Sequence, residues 1–111
     1  MKEQFQARML RIYFTEDDKW QGKPLYKAIV AKCMELGIAG ATVYRGIAGF
    51  GASARIYHAH GLSVSKNAPV MVSVIDTEEQ IQKLIPLLDQ MIAGGLIANS
   101  KVEVIRYTKA G

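Results

Sequence analysis

The chain has 111 residues, half of them hydrophobic and 22% charged, with a formal net charge of +4. That size and balance describe a single folded domain over 1–111 and exclude intrinsic disorder, low complexity and a two-domain layout. The longest charge-free stretch, residues 90–100, is far short of the ~20 apolar residues of a spanning helix, so no membrane insertion is expected.

Residues 1–7 are polar and read as a loose lead-in. Residues 8–14 alternate as a strand, with Leu10, Ile12 and Phe14 on one side and Met9, Arg11 and Tyr13 on the other. Residues 15–19 are charged and turn-like. Pro24 suits the first turn of a helix, because its missing N–H would be unpaired there. Leu25, Tyr26, Ile29, Val30, Cys33 and Met34 then recur at helical spacing, and Gly37 is a natural left-handed stop.

A second strand spans 41–47 and enters the glycine-rich run Gly46-Ile47-Ala48-Gly49-Phe50-Gly51. Residues 51–68 lack a clean period and read as a long loop or a loosely paired hairpin. The short apolar run 70–75 reads as a central strand. Thr77-Glu78-Glu79-Gln80 matches a capping box. Behind it, Ile81, Leu84, Ile85, Leu88, Met91 and Ile92 form an apolar stripe that Pro86 should kink or restart. Gly94-Gly95 ends the helix. A short edge segment at 96–98 and a last strand at 101–107 follow, with 108–111 a loose tail.

The order strand, helix, strand, strand, helix, strand predicts an α+β, ferredoxin-like βαββαβ sandwich: an antiparallel sheet with two helices on one face. The other sheet face should carry Met9, Tyr13, Tyr44 and either Met71 or Val72, with Tyr107 a further candidate. Such an uncovered apolar face points to a subunit interface, although antiparallel sheets also tolerate a half-solvated face.

No acidic residue falls between Glu35 and Asp76, a span that holds Arg45, Arg55, Lys66, His58 and His60. Backbone N–H groups in a glycine-rich turn can cradle an anion, and arginine adds forked donors. Arg45, Gly46, Gly49, Gly51 and Arg55 are therefore the candidate site for a small anionic ligand. The same glycines equally serve a bulge and a hairpin turn. The spacing is neither the dinucleotide fingerprint nor a Walker loop.

His58-Ala59-His60 puts two imidazoles on one side of an extended segment, too few for a metal site by themselves. The lone Cys33 excludes a disulfide framework, fits a reducing compartment and sits on a buried stripe. No apolar leader opens residues 1–8, so a cytoplasmic protein is expected. No nucleophile or general base stands out, so an enzyme is a minor reading. The paired aromatics of an RNA-binding sheet are missing, so no nucleic acid is expected.

Leu10-Arg11-Ile12-Tyr13, Gly22-Lys23-Pro24-Leu25-Tyr26, the run from Gly40 through Thr42-Val43-Tyr44-Arg45-Gly46 to Gly51, and the ending Val102-Glu103-Val104-Ile105-Arg106-Tyr107 resemble the family known as domain of unknown function one-ninety, described as PII-like. The likeness covers roughly residues 9–107. It implies a ferredoxin-like subunit and a homotrimer with open sheet faces turned inward. It also implies a regulatory or signalling role, an adenine nucleotide in clefts between subunits, and a protein partner met through the loop 51–68. The chain departs from PII proteins in lacking their Gly-Asp-Gly-Lys phosphate loop after the second helix; only Gly94-Gly95 and, later, Lys101 stand there. A metal-tolerance-type trimer of similar fold, using His58 and His60, is the alternative.

Overall fold

The computed structural model describes residues 1–51, 57–58 and 67–110; Arg55 and His60 lie outside them. The elements in chain order are β1 (Lys2–Thr15), β2 (Lys19–Trp20), β3 (Lys23–Pro24), α1 (Leu25–Glu35), β4 (Gly40–Arg45), β5 (Ala48–Gly49), β6 (Tyr57–His58), β7 (Pro69–Asp76), α2 (Glu78–Met91) and β8 (Leu96–Tyr107). The main sheet runs β4-β7-β1-β8 with every pair antiparallel. Its two central strands, β7 and β1, are the ones that supply fully buried side chains, as a sheet buried at its middle requires. The architecture is the expected α+β ferredoxin-like sandwich.

Strand alternation and register fix the two sheet faces. Leu10, Ile12 and Phe14 of β1 stand beside Val74, Val72 and Val70 of β7 and meet both helices. Leu25, Ile29 and Cys33 of α1 and Ile81, Leu84, Leu88 and Met91 of α2 close this core. Met34, expected on the buried stripe of the first helix, is instead exposed, because α1 buries the adjacent Ala28 line.

Both helices are stopped by local chemistry. At the end of α1, the Ile38 N–H donates to the Cys33 carbonyl and the Gly37 N–H to the Met34 carbonyl. With Gly37 at φ 71°, this is the glycine-closed ending that satisfies the last free carbonyls. At the start of α2, the Thr77 hydroxyl accepts from the Gln80 N–H at 3.3 Å. Only half of the capping box forms. The Gln80 amide donates to the Leu36 carbonyl at 2.9 Å, tying α2 to the end of α1, while the Thr77 N–H goes to the Asp76 carboxylate. The helix continues through Pro86 without restarting. Pro86 is exposed, so the carbonyl it leaves unpaired faces water.

Several boundaries differ from the sequence expectation; the strand expected at 41–47 is β4, Gly40–Arg45, and stops before the glycine run. The loose lead-in 1–7 is a strand, paired from Lys2↔Tyr107 through Ala7↔Val102. It is polar because this part of β1 and β8 projects past the helices as a ribbon, where backbone pairing rather than a buried face holds it. The segments 96–98 and 101–107 are one strand, β8, for the same reason. At the far end, Met1 and Thr108 exchange hydrogen bonds at 2.8 Å in both directions, so Thr108 is not part of a loose tail. The turn-like 15–19 leads into the β2–β3 hairpin, whose Gln21-Gly22 turn has φ values of 50° and 78°.

Candidate anion site

Arg45 is the last residue of β4 and lies opposite Val70, on the helix side of the sheet. Its Nε donates to the Glu16 Oε2 at 2.9 Å, and Arg45 keeps a further interaction besides. The Glu16 N–H in turn donates to the Ala68 carbonyl at 2.8 Å. The ends of β1 and β4 and the start of β7 therefore meet at one corner. Asp17 and Asp18 stand in the same turn and are occupied by the Thr15 hydroxyl and the Thr15 N–H.

Two of the three candidate glycines have structural duties here. A side chain at Gly46 would come within 2.7 Å of the Pro69 ring, and the Gly46 N–H already donates to the Pro69 carbonyl at 2.7 Å. That N–H is spent on β7 and is not offered to a ligand. Gly49 has φ 150° and pairs with Tyr57 across the small β5–β6 hairpin. Among the described residues nothing lies within 4 Å of a Cβ added at Gly51, and its φ is not in the left-handed range. Ile47 and Phe50 are exposed beside these glycines.

Gly46 and Gly49 both stand against Pro69, the neighbour of Arg45's register partner Val70, whereas nothing described places Gly51 against them and Arg55 falls outside the described residues. Of the two histidines, His58 has its backbone paired with Ala48, and His60 lies outside the described residues. Among the described residues no three His, Cys, Asp or Glu side chains group around a common point. Sequence reasoning missed Glu16. It lies outside the acid-free span, yet the fold sets it directly on Arg45, and no local motif announces a contact between residues so far apart. Cys33 is buried, and desolvation pushes its thiol up to about 11, which removes it as a nucleophile.

The open face of the sheet is built as the alternation predicts. Met9 and Tyr13 of β1, Met71 of β7 and Tyr44 of β4 share it with Leu96, Val102 and Val104 of β8. The register decides for Met71 over Val72. It also removes Tyr107, which pairs with Lys2 and points to the helix side. Tyr13 is 40% exposed, Tyr44 53% and Leu96 60%. No helix among the described residues is long and apolar enough to cross a membrane.

Residues 7–104 match the family model DUF190, described as "Uncharacterized ACR, COG1993". A UPF0166 protein of Aquifex aeolicus is 39% identical over 101 residues, spanning 88% of this chain and 92% of its own. Among solved structures, the nitrogen regulatory PII-like protein CPII of Thiomonas intermedia K12, bound to ADP, AMP and bicarbonate, aligns with a TM-score of 0.64. That alignment has 18% identity and covers 92% of this chain and 91% of the other. The divalent ion tolerance protein CutA1 of Ehrlichia chaffeensis aligns at 0.55 with 13% identity, over 95% of this chain and 84% of the other. At these identities the structural likeness establishes the fold, which is PII-like.

Proposed function

The chain belongs to the DUF190 family, and from that membership we propose that it is a cytoplasmic, PII-like regulatory protein that forms a homotrimer and binds a small anionic ligand, an adenine nucleotide. The observation that carries this reading is the open sheet face. It exposes Tyr13, Tyr44 and Leu96 on three of the four strands of a small domain, with Met71 of β7 half-buried on the same face. Fully burying one such side chain is worth about 1.5–3 kcal/mol, so several per contact hold copies together.

The site follows from the same geometry. β4 and β8 are the outer strands of the sheet. When open faces turn toward one another, the β4 end that carries Arg45 and the glycine run lies where copies meet. Arg45 supplies charge, the backbone around Gly49 and Gly51 supplies close approach, and Arg55 adds a second guanidinium. Gly46 acts as a spacer that lets β4 reach Pro69. Phe50 and Ile47 offer an exposed apolar surface to a flat base. The adenine nucleotides in the PII-like CPII structure support this ligand class by likeness of fold. The segment 51–68 follows the site and is the proposed contact for a protein partner.

Calorimetry with ATP, ADP, AMP and cyclic AMP tests the reading. Arg45→Ala should weaken nucleotide binding by about ten- to a hundred-fold, the cost of one charge-assisted contact, with the assembly intact. No binding of any nucleotide to the wild type at millimolar concentration removes the ligand. Binding unchanged in the variant moves the site, with residues 94–101 the next place to look.

A further inference from the structure

A second basic feature lies away from Arg45, on the helix side of the β1–β8 ribbon. Arg8 and Lys101 are direct register partners on adjacent strands, so their side chains leave the same face. Like charges directly opposed across a pair of strands are destabilising. The structure compensates them only in part. Arg8 Nη2 sits 3.3 Å from Glu78 Oε1, in the first turn of α2, but the Glu78 side chain is 64% exposed, so the pair is weak. The Lys101 ammonium has no hydrogen bond or ion pair among the described residues.

These groups frame a cleft. Gln6, Ala7, Arg8, Lys101 and Glu78 line a volume of about 200 Å³. On the same scale a single water needs about 10–15 Å³, so the space admits an ion of several heavy atoms together with solvent. Gln6 also lines the space, and its amide donates to the Glu103 carboxylate at 3.5 Å, so it must turn from Glu103 to serve an anion. The arrangement is a positive pair beside a half-open cleft, with the exposed Glu78 carboxylate on Arg8 and the Glu103 carboxylate on Gln6.

We propose that this cleft is an oxyanion site that takes phosphate, free or as a monoester, between the Arg8 guanidinium and the Lys101 ammonium. The ligand supplies the countercharge that the fold omits. Glu78 competes for Arg8 and swings into solvent when the anion enters. The site is separate from the nucleotide proposed at Arg45, because it is formed by the middle of β1, the first turn of α2 and β8, whereas Arg45 stands beside Glu16 at the end of β1.

The experiment is a phosphate titration followed by backbone amide NMR and thermal melting, with sulfate and glycerol phosphate as parallel probes. Saturable shifts centred on residues 6–8, 78 and 101, with a rise in melting temperature, are expected. Glycerol phosphate matching inorganic phosphate identifies a monoester site; inorganic phosphate alone binding identifies a free-ion site. Lys101→Gln should melt higher than wild type without phosphate, because the like-charge pair is relieved, and should lose about ten-fold in phosphate affinity. Glu78→Gln should bind phosphate more tightly. Arg45→Ala should leave these shifts unchanged. Absence of saturable shifts at the cleft in millimolar phosphate overturns the proposal. So does a Lys101→Gln variant that binds phosphate as the wild type does.

Discussion

The two faces of one sheet follow opposite rules in this molecule. On the helix side Leu10, Ile12, Val72 and Val74 are fully buried in a core that both helices complete. On the other side the same sheet presents Tyr13, Tyr44 and Leu96 to solvent. Large apolar side chains stand on both faces, the open one also carrying Arg11, Thr42 and Ser73, so hydrophobicity alone does not separate them. What separates them is who supplies the cover: α1 and α2 of the same chain on one side, and nothing from the described chain on the other. The first face makes the fold, and the second is left for assembly.

The largest effect that tests this contrast is a cavity on the covered face. Leu84→Ala removes a fully buried side chain at the centre of α2 and should cost about 2–5 kcal/mol, read as a lower denaturant midpoint with an unchanged slope. A loss well under 1 kcal/mol would mean that the covered face is not the main core.

A charge on the open face should do the reverse. Tyr44→Asp should leave the folded subunit within about 0.5 kcal/mol of wild type, as exposed substitutions do. It should also weaken self-association by about thirty-fold or more, the effect of a central aromatic worth about 2 kcal/mol. Analytical ultracentrifugation of both proteins decides it. An assembly that is indifferent to this charge would show that the open face is not the contact.

This contrast was largely legible before any coordinates. Met9 and Tyr13 fall opposite Leu10 and Ile12 by simple alternation, and α2 is announced by Thr77, a regular apolar stripe and the glycines behind it. The uncovered face followed from counting two helices against two sheet faces. Residues 2–7 were not legible, because a ribbon that projects past the helices needs no buried face and carries no apolar signal. The Glu16–Arg45 pair was hidden for another reason: the two residues meet only after β1, β7 and β4 are laid side by side. Arg8 and Lys101 likewise become opposed only through the β1–β8 register. Glycines misled in a third way. Gly95 would place a side chain on the Tyr13 carbonyl, and Gly46 would strike Pro69. The small residues that look like ligand loops are thus partly the points where strands cross closely.

The smallest expected effect uses a thiol to read the dryness of each face. Cys33 is 2% exposed on the core side of α1, and burial pushes its thiol up to about 11 from an ordinary 9.0. Desolvation raises it because the thiolate loses its water without gaining a cation. The neutral thiol is favoured in the folded state, so the contribution to stability is flat below pH 9. Above that, the unfolded thiol ionises while the folded one still holds its proton, and stability falls until about pH 11. Near pH 8 the folded Cys33 should therefore react with iodoacetamide at least about a hundred-fold more slowly than a free thiol, from its thiolate fraction alone. Thr42 lies on the open face, opposite Ser73, and is exposed. In a Thr42→Cys variant the new thiol should alkylate at an ordinary rate when the protein is dilute and become protected as the subunits associate. Mass spectrometry of the labelled positions separates the two sites. Labelling of Cys33 in the folded protein as fast as the new thiol would show that the covered face is wet. Labelling at position 42 that ignores protein concentration would show that the open face stays open.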